Sequence, residues 1–237
     1  MKKTNIQICD NCQKENPLYR ETCLECGYYL RKKEPNIDLW STVWKLFENP
    51  KKAIKNIIFA EHKNFVVFLM LLFSVKLYSL FVITKYYLNP LSEEITNTFL
   101  NAVILIVSFM IIIIIFSELL TFILNIGNKG IVRFKDNIAI ITYSFIPIIL
   151  ISIILLPIEY GIFGKQWFSS NPSPIVVKKN AAYLLYGIES VMILWSVFIL
   201  YIALFLQSNS KIKALFFMLL FFSMISAVII LFPINIV

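Results

Sequence analysis

Five long runs of apolar residues occupy most of the chain after residue 64, with short polar segments between them. They cover residues 65–84, 99–126, 138–158, 181–206 and 214–237. A helix that crosses the hydrocarbon core of a bilayer, which is ~30 Å thick, needs about 20 mainly apolar residues. Each run is apolar on every face, whereas the strands of a membrane barrel alternate and are about 10 residues long. The pattern predicts five transmembrane helices.

The first 64 residues have a different character. They hold 12 of the 22 basic residues, 8 of the 14 acidic residues, all four cysteines and the single histidine. No segment resembles a cleavable signal peptide, because polar sequence precedes the first apolar run. We therefore predict three parts: a zinc ribbon at 1–33, amphipathic juxtamembrane helices at 34–64 and a five-helix transmembrane domain at 65–237.

Apolar residues recur with a helical period before the first span. They lie on one face of a helix that begins after Asp38, a residue that suits the N-cap position. This face comprises Leu39, Trp40, Val43, Trp44 and Phe47. Asn49 and Pro50 then mark the start of a second helix, because Asn caps helices and Pro is tolerated in the first turn.

The second helix carries three lysines, Lys51, Lys52 and Lys55. They interleave with an isoleucine stripe made of Ile54, Ile57 and Ile58. Tryptophan and basic side chains beside an apolar stripe are typical of a helix in the headgroup region of an anionic membrane. The alternative is that the apolar face packs against the spans or against a partner protein.

Composition supports the membrane interpretation. Hydrophobic residues make up 59% of the chain and charged residues 15%, whereas soluble domains carry about 25% charged residues. A soluble globule of this size still exposes roughly a quarter of its unfolded surface, so it could not hide so many apolar side chains. Disorder is excluded as well, because it requires low hydropathy and high charge.

The positive charge is concentrated on one predicted side of the membrane. The net charge is +8, and with a cytosolic N-terminus the inner segments carry 17 basic residues and the outer segments 4. Lys and Arg are enriched on the cytoplasmic side of membrane proteins. The distribution predicts a multi-pass protein of the cell membrane with its N-terminus in the cytosol and its C-terminus outside.

Four cysteines form the strongest local signal. The pairs Cys9/Cys12 and Cys23/Cys26 each enclose two residues, and ten residues separate the pairs. This spacing lets four thiolates surround one Zn²⁺ tetrahedrally at about 2.3 Å. Because about 30 residues cannot build a sufficient hydrophobic core, a single structural Zn²⁺ would stabilise the fold itself.

Other chemistries compete for these cysteines. Disulfides are disfavoured because cytosolic thiols stay reduced, and a thioredoxin-type redox pair lacks the βαβ pattern around it. Iron in place of zinc stays open. The segment from Ile8 to Lys32 resembles the short zinc ribbons at the N-termini of many bacterial membrane proteins, in which Gly often follows both pairs; here Gln13 replaces the first Gly.

The ribbon has little charge to offer a nucleic acid. Residues 1–33 contain seven basic and four acidic side chains. A zinc ion with four thiolates adds about −2, so the net charge is about +1. Binding to phosphates relies on many basic contacts. We expect no nucleic acid partner, and instead a structural role or the docking of a cytosolic protein.

Three charged residues fall inside predicted spans: Lys76, Glu118 and Glu189. Such charges are costly, usually face the bundle interior and are functional candidates. At about 1.5 Å per residue, they lie ~16, ~12 and ~25 Å from the inner ends of their spans. The depths predict that Lys76 pairs with Glu118. A purely structural role and a path for a substrate or proton stay open.

A proline predicts a kink in the third span. Pro147 removes a backbone donor and frees the carbonyl of Tyr143. In lipid that carbonyl must be satisfied nearby, for which the Ser144 hydroxyl or a neighbouring helix would serve. Pro157 would add a second kink near the end of the span.

Two segments carry a family resemblance. They are Leu-Phe-Glu-Asn-Pro at 46–50, followed by lysines, and Ala-Ile-Ile-Thr-Tyr-Ser-Phe-Ile-Pro at 139–147, with Gly161, Gly164 and Gly187 further on. Over about residues 40–235 the chain resembles the Yip family, the Rab/Ypt-interacting membrane proteins. The resemblance implies five spans and a cytosolic N-terminus. Eukaryotic relatives bind Rab GTPases in vesicle traffic, and the fused zinc ribbon fits bacterial members, which lack that machinery.

No catalytic constellation is recognisable. The sequence has no His-Glu-x-x-His, Gly-x-Ser-x-Gly or P-loop motif, and one histidine excludes multi-histidine metal chemistry. We expect a non-enzymatic membrane protein of Yip type, in which the ribbon docks a partner and the chain organises the bilayer or takes part in trafficking. The alternative is a small transporter, channel or lipid-moving protein that uses Lys76, Glu118 and Glu189 and works as a homo-oligomer.

Overall fold

The computed structural model describes residues 6–17, 20, 22–30, 36–88, 98–127, 132–169 and 171–231. Within them, a two-stranded sheet lies at the N-terminus and five helical segments are long and apolar enough to cross a membrane. The predicted fold class is therefore confirmed: a helical polytopic membrane protein preceded by a small β-rich domain with four clustered cysteines.

The N-terminal sheet is a single antiparallel hairpin. Strand β1 (Ile6–Ile8) pairs with β2 (Glu15–Pro17), and the register places Gln7 opposite Asn16. A hairpin of two such short strands is marginal in water on its own. Its stability must therefore come from the cysteine cluster, to which the turn between the two strands contributes Cys9 and Cys12.

Two helices lie between the ribbon and the first span in the sequence. Helix α1 (Leu39–Glu48) begins after Asp38, whose side chain accepts the backbone N–H three residues further on at 3.3 Å. Helix α2 (Pro50–Phe59) begins after Asn49, whose side chain does the same at 3.1 Å. Both predicted caps are confirmed, and the two helices pack against each other.

The membrane-spanning segments follow. They are α3 (Val66–Leu88), α4 (Thr98–Gly127), the pair α5 (Phe134–Ser144) and α6 (Ile146–Phe163), α8 (Lys179–Ser208) and α9 (Lys211–Leu231), with a 3₁₀ turn (Gly164–Phe168) and the short α7 (Pro174–Val177) between α6 and α8. The first, second, fourth and fifth spans begin and end within a few residues of the predicted limits. Residues 232–237 of the fifth prediction lie outside the described residues.

The third span is longer than predicted and is interrupted. It extends over Phe134–Phe168 rather than 138–158. Phe145, with φ −93° and ψ 6°, separates α5 from α6. Pro147 lies in the first turn of α6, where its missing N–H is tolerated. The expected kink is thus a helix break, whereas Pro157 lies inside α6.

The contacts divide the chain into two compact units. The first contains Met1–Val66, Ile113–Ser144 and Phe198–Phe221, and the second contains Val67–Ile112, Phe145–Val197 and Phe222–Val237. Aromatic side chains pack among the buried aliphatic residues of both units. In the first unit, Phe116 and Phe221 lie 4.9 Å apart between ring centroids, and the buried Tyr143 hydroxyl donates to the carbonyl of Asn64.

Aromatic side chains also pack against one another among the described residues of the second unit. Phe73 and Phe145 stack with their ring centroids 3.9 Å apart. Trp167 is buried between Phe163, at 5.2 Å, and Tyr186, at 4.8 Å. Trp167 therefore anchors the end of the third span to α8, in a segment that lies between two predicted spans.

Candidate functional site

The four cysteines converge on one point. Their Sγ atoms all lie within 4.8 Å of one another; Cys9 is 3.6 Å from Cys26, and Cys12 is 3.4 Å from Cys23. Sulfurs around a tetrahedral ion at about 2.3 Å would be ~3.8 Å apart. All four cysteines are free, and these separations exceed the ~2.05 Å of a disulfide. The cluster can bind a metal ion.

Both cysteine pairs lie in turns of the same construction. The N–H of Gln13 donates to the carbonyl of Cys9 at 2.9 Å, and the N–H of Gly27 donates to that of Cys23 at 3.1 Å. Gln13 has φ 58° and Gly27 has φ 69°. Glycine adopts a positive φ freely, whereas a residue with a Cβ is strained there. Gln13 therefore strains the first turn without displacing a ligand.

Asn16 supports the cluster from the second strand, a role that the sequence does not predict. It is buried, and its side-chain oxygen accepts the N–H of Leu24 at 2.9 Å. Its amide nitrogen lies 2.9 Å from the carbonyl of Lys14 and 3.4 Å from the Sγ of Cys23. Partners of this kind orient metal ligands. The only sequence signal was an asparagine between the pairs.

Hydrogen-bond donors stabilise the thiolate form of the second pair. The backbone N–H of Cys26 donates to Cys23 and lowers the pKa of that thiol to about 6, against the opposing effect of burial. The backbone N–H of Tyr28 lowers the pKa of Cys26 in the same way. Because a metal binds the deprotonated sulfur, these two cysteines are prepared for coordination.

The described part of the ribbon exposes large apolar and aromatic side chains. Four large side chains there are about half exposed, namely Ile8, Leu24, Tyr28 and Tyr29. The charged side chains nearby include the exposed ion pair of Lys14 and Glu25, at 3.5 Å. The ribbon thus presents apolar and aromatic groups together with a balanced charge.

Lys76 forms an ion pair inside the membrane-spanning part of the chain. Its ammonium group donates to Oε1 of Glu189, and both residues are buried. The prediction that Lys76 pairs with Glu118 is therefore wrong. Depth along a helix was the basis of that prediction, and depth does not reveal which helices are neighbours or which way a side chain faces. Both Lys76 and Glu189 belong to the second unit.

A third charged residue belongs to the same centre. Glu159 is 3% exposed, and the residues one turn before and after it on α6, Leu155 and Phe163, pack in one cluster with Leu185 of α8, which lies one turn before Glu189. The charges of Glu189 and Lys76 act on its carboxyl group. The side chain of Trp167 is its hydrogen-bond partner. The apolar run ends at residue 158, so the sequence predicts that Glu159 lies just outside the third span. The helix in fact continues to Phe163, so the carboxyl group is buried.

Glu118 lies in a different environment. It is exposed on α4, where it lines an open, mostly apolar groove with Ile115, Leu119 and Phe122. Three neighbours on the helix surface are thus apolar. Of the three intramembrane candidates, the structure brings Lys76 and Glu189 together and leaves Glu118 exposed on α4.

A second polar cluster lies at the start of the third span. Asp136 is buried, with its Oδ1 3.0 Å from the Nζ of Lys63 and 3.3 Å from the guanidinium of Arg133. Lys63 also donates to the carbonyl of Ile58 at 3.0 Å, next to the C-terminus of α2. The sequence offers no local signal for these partners of Asp136. The structure makes it the link between α5 and the segment after α2.

The two juxtamembrane helices share their apolar residues between two surfaces. Val43 and Leu46 of α1 are buried, whereas Trp40 and Trp44 are 71% and 66% exposed. The isoleucine stripe of α2 is buried, and α2 packs against both α1 and α5. For α2, the structure thus realises the packing alternative. For α1, the exposed tryptophans agree with a position in the headgroup region of the membrane.

A comparison with known proteins finds no matching family model, no similar curated protein and no similar solved structure. The functional interpretation therefore depends on the residues of this chain and on the geometry of its sites.

Proposed function

We propose that this chain is a non-enzymatic integral membrane protein of Yip type, whose zinc ribbon docks a cytosolic protein partner. One observation carries the proposal: a domain with no core of its own exposes Ile8, Leu24, Tyr28 and Tyr29 by about half. Aromatic side chains are enriched at protein interfaces, where charged ones are depleted. A metal-stabilised unit can hold such side chains in fixed positions without a hydrophobic interior.

Zinc is the metal that this donor set favours. Four thiolates in a tetrahedron form a closed structural site that leaves no open position for a substrate. Cys9, Cys12, Cys23 and Cys26 would hold the ion, and Asn16 would orient the Cys23 thiolate. The ion would supply folding free energy, because the hairpin is too small to be stable alone.

The charge distribution supports a cytosolic location for the ribbon. The inner segments carry 17 basic residues against 4 in the outer segments when the N-terminus is cytosolic. A ribbon on that side meets cytosolic proteins and stays reduced, as a thiolate centre requires. Helix α1 would then hold its two exposed tryptophans at the inner headgroup region, where such side chains are enriched.

A photocrosslinking experiment tests the docking role. A photoreactive residue replaces Leu24 in the full-length protein in its native membrane, and the control carries the same residue at exposed Glu48 at the end of α1. We expect one discrete protein adduct from position 24, lost in the Cys9→Ser/Cys12→Ser variant. Equal adducts from both positions, or none, would refute docking by the ribbon.

A second candidate is a small transporter, channel or lipid-moving protein. The burial of Lys76, Glu189 and Glu159 in one unit favours it, because intramembrane ionisable residues commonly mark substrate or proton paths. Proteoliposomes with wild-type protein and with Glu189→Gln would be compared for lipid and proton movement. Equal rates in the two, with helicity preserved, would count against transport through this centre.

A further inference from the structure

The Lys76–Glu189–Glu159 centre carries unbalanced charge. It contains one ammonium group and two carboxyl groups, and all three residues are at least 92% buried. Lys76 is directly bonded to Glu189. If both carboxyl groups were ionised, the centre would hold a net charge of about −1 in a medium of low dielectric constant, where an uncompensated charge is very costly.

The hydrogen bonds indicate which group takes up the compensating charge. Oε1 of Glu189 is engaged by the ammonium of Lys76, whereas Oε1 of Glu159 is buried and has no hydrogen-bond partner among the described residues. The hydrogen-bond partner of the Glu159 carboxyl group is Trp167, whose indole can donate to one oxygen and leave the other. Glu159 is thus the carboxyl group with a vacant oxygen.

We propose that Glu159 is a proton-binding site of this membrane protein, controlled by the Lys76–Glu189 ion pair. The charged groups that act on Glu159 are Glu189 on α8 and Lys76 on α3. These groups are too few for a hard metal cation, which takes about six or more oxygen ligands. A proton needs only the one free oxygen. The site is independent of the ribbon, and it requires no transport, because binding and release of a proton need not be coupled to movement across the bilayer.

The charge count makes opposite predictions for two neighbouring substitutions. In Glu189→Gln, Lys76 has Glu159 as its sole carboxylate counter-charge in the centre, so Glu159 should ionise. In Lys76→Met, no cation balances either carboxylate, so both should bind a proton. A merely buried, inert glutamic acid would respond to neither change.

Infrared spectroscopy of the full-length protein in lipid vesicles reads the proton directly. The carbonyl stretch of a protonated carboxyl group is resolved from that of a carboxylate, and deuterium exchange shifts it. At neutral pH we expect the wild-type band to contain a protonated component that is lost in Glu159→Gln, lost in Glu189→Gln and increased in Lys76→Met. The band should decrease as the pH is raised.

Glu118→Gln is the matched control, because this carboxyl group lies outside the centre. Glu118→Gln removes only the signal of Glu118 itself and should leave the component that Glu159→Gln abolishes. The proposal is overturned if the Glu159→Gln spectrum equals that of the wild type, or if Glu189→Gln retains the band with unchanged helicity. It is also overturned if sodium ions, rather than protons, displace the signal at constant pH.

Discussion

Gln13 and Gly27 occupy equivalent places in the two cysteine turns of the ribbon. Each follows its second cysteine directly, donates its N–H to the carbonyl of the first cysteine of its pair and adopts a positive φ. Only Gly27 does so without a Cβ. The two turns are therefore alike in geometry and unequal in strain, and the strain lies on the Cys9/Cys12 side.

Replacing Gln13 by Gly should strengthen metal binding. The left-handed conformation costs a residue with a Cβ about 1–2 kcal/mol, and glycine's larger unfolded-state entropy offsets part of this gain. We expect zinc affinity to rise about threefold to tenfold, measured by competition with a chromophoric chelator. The reverse substitution, Gly27→Gln, should lower the affinity by a similar factor. Equal affinities for all three proteins would show that this φ carries no strain.

Asn16 should matter to the metal although it is not a ligand. Asn16→Leu removes the hydrogen bonds to the Cys23 thiolate and to the N–H of Leu24. Loss of such a supporting partner typically lowers metal affinity about 10–100-fold, and we expect a decrease in this range. The neighbouring exposed residue Glu15, replaced by Gln, is the control and should bind zinc as the wild type does. A wild-type affinity in Asn16→Leu would remove its supporting role.

The Asp136 cluster should stabilise the transmembrane part. Asp136→Asn removes the carboxylate that Lys63 and Arg133 contact, and Lys63 is itself buried. Removing one member of a buried ion pair costs about 3–5 kcal/mol. Since Arg133 is partly exposed, we expect about 3 kcal/mol, measured by reversible unfolding in mixed micelles. Exposed Lys135→Gln should change stability little, and an equally small effect of Asp136→Asn would contradict this role.

The exposed tryptophans of α1 should contact lipid. Trp40 and Trp44 point away from the buried face of their helix, and tryptophan is enriched at the headgroup level. In vesicles with brominated lipids, the wild type should lose more fluorescence than Trp40→Phe/Trp44→Phe does. Replacing Lys51, Lys52 and Lys55 by Glu should reduce that difference in anionic vesicles. If aqueous acrylamide quenches Trp40 and Trp44 and brominated lipids do not, α1 lies away from the membrane.

Local patterns predicted what local forces determine. The cysteine spacing places four ligands in two short turns close together in the chain, and the caps Asp38 and Asn49 act within a single helical turn. The apolar runs likewise determine which segments span, because that depends on length and hydropathy alone. These features needed no knowledge of neighbouring elements.

Partners between distant elements could not be predicted in this way. Lys76 and Glu189 are 113 residues apart, and depth alone favoured Glu118. Glu159 was missed for a different reason: hydropathy placed the end of the span one residue before it, whereas the helix continues to Phe163. Asn16 was missed because a buried asparagine has the same sequence signature as an exposed turn residue.

The most direct test is the metal content of the purified full-length protein, prepared without chelators. We predict one zinc ion per chain, with X-ray absorption showing four sulfur ligands at about 2.3 Å, and no bound zinc in Cys9→Ser/Cys12→Ser. A wild-type protein that is folded and reduced yet holds no stoichiometric zinc, or holds it through nitrogen or oxygen ligands, would contradict a zinc ribbon at its N-terminus.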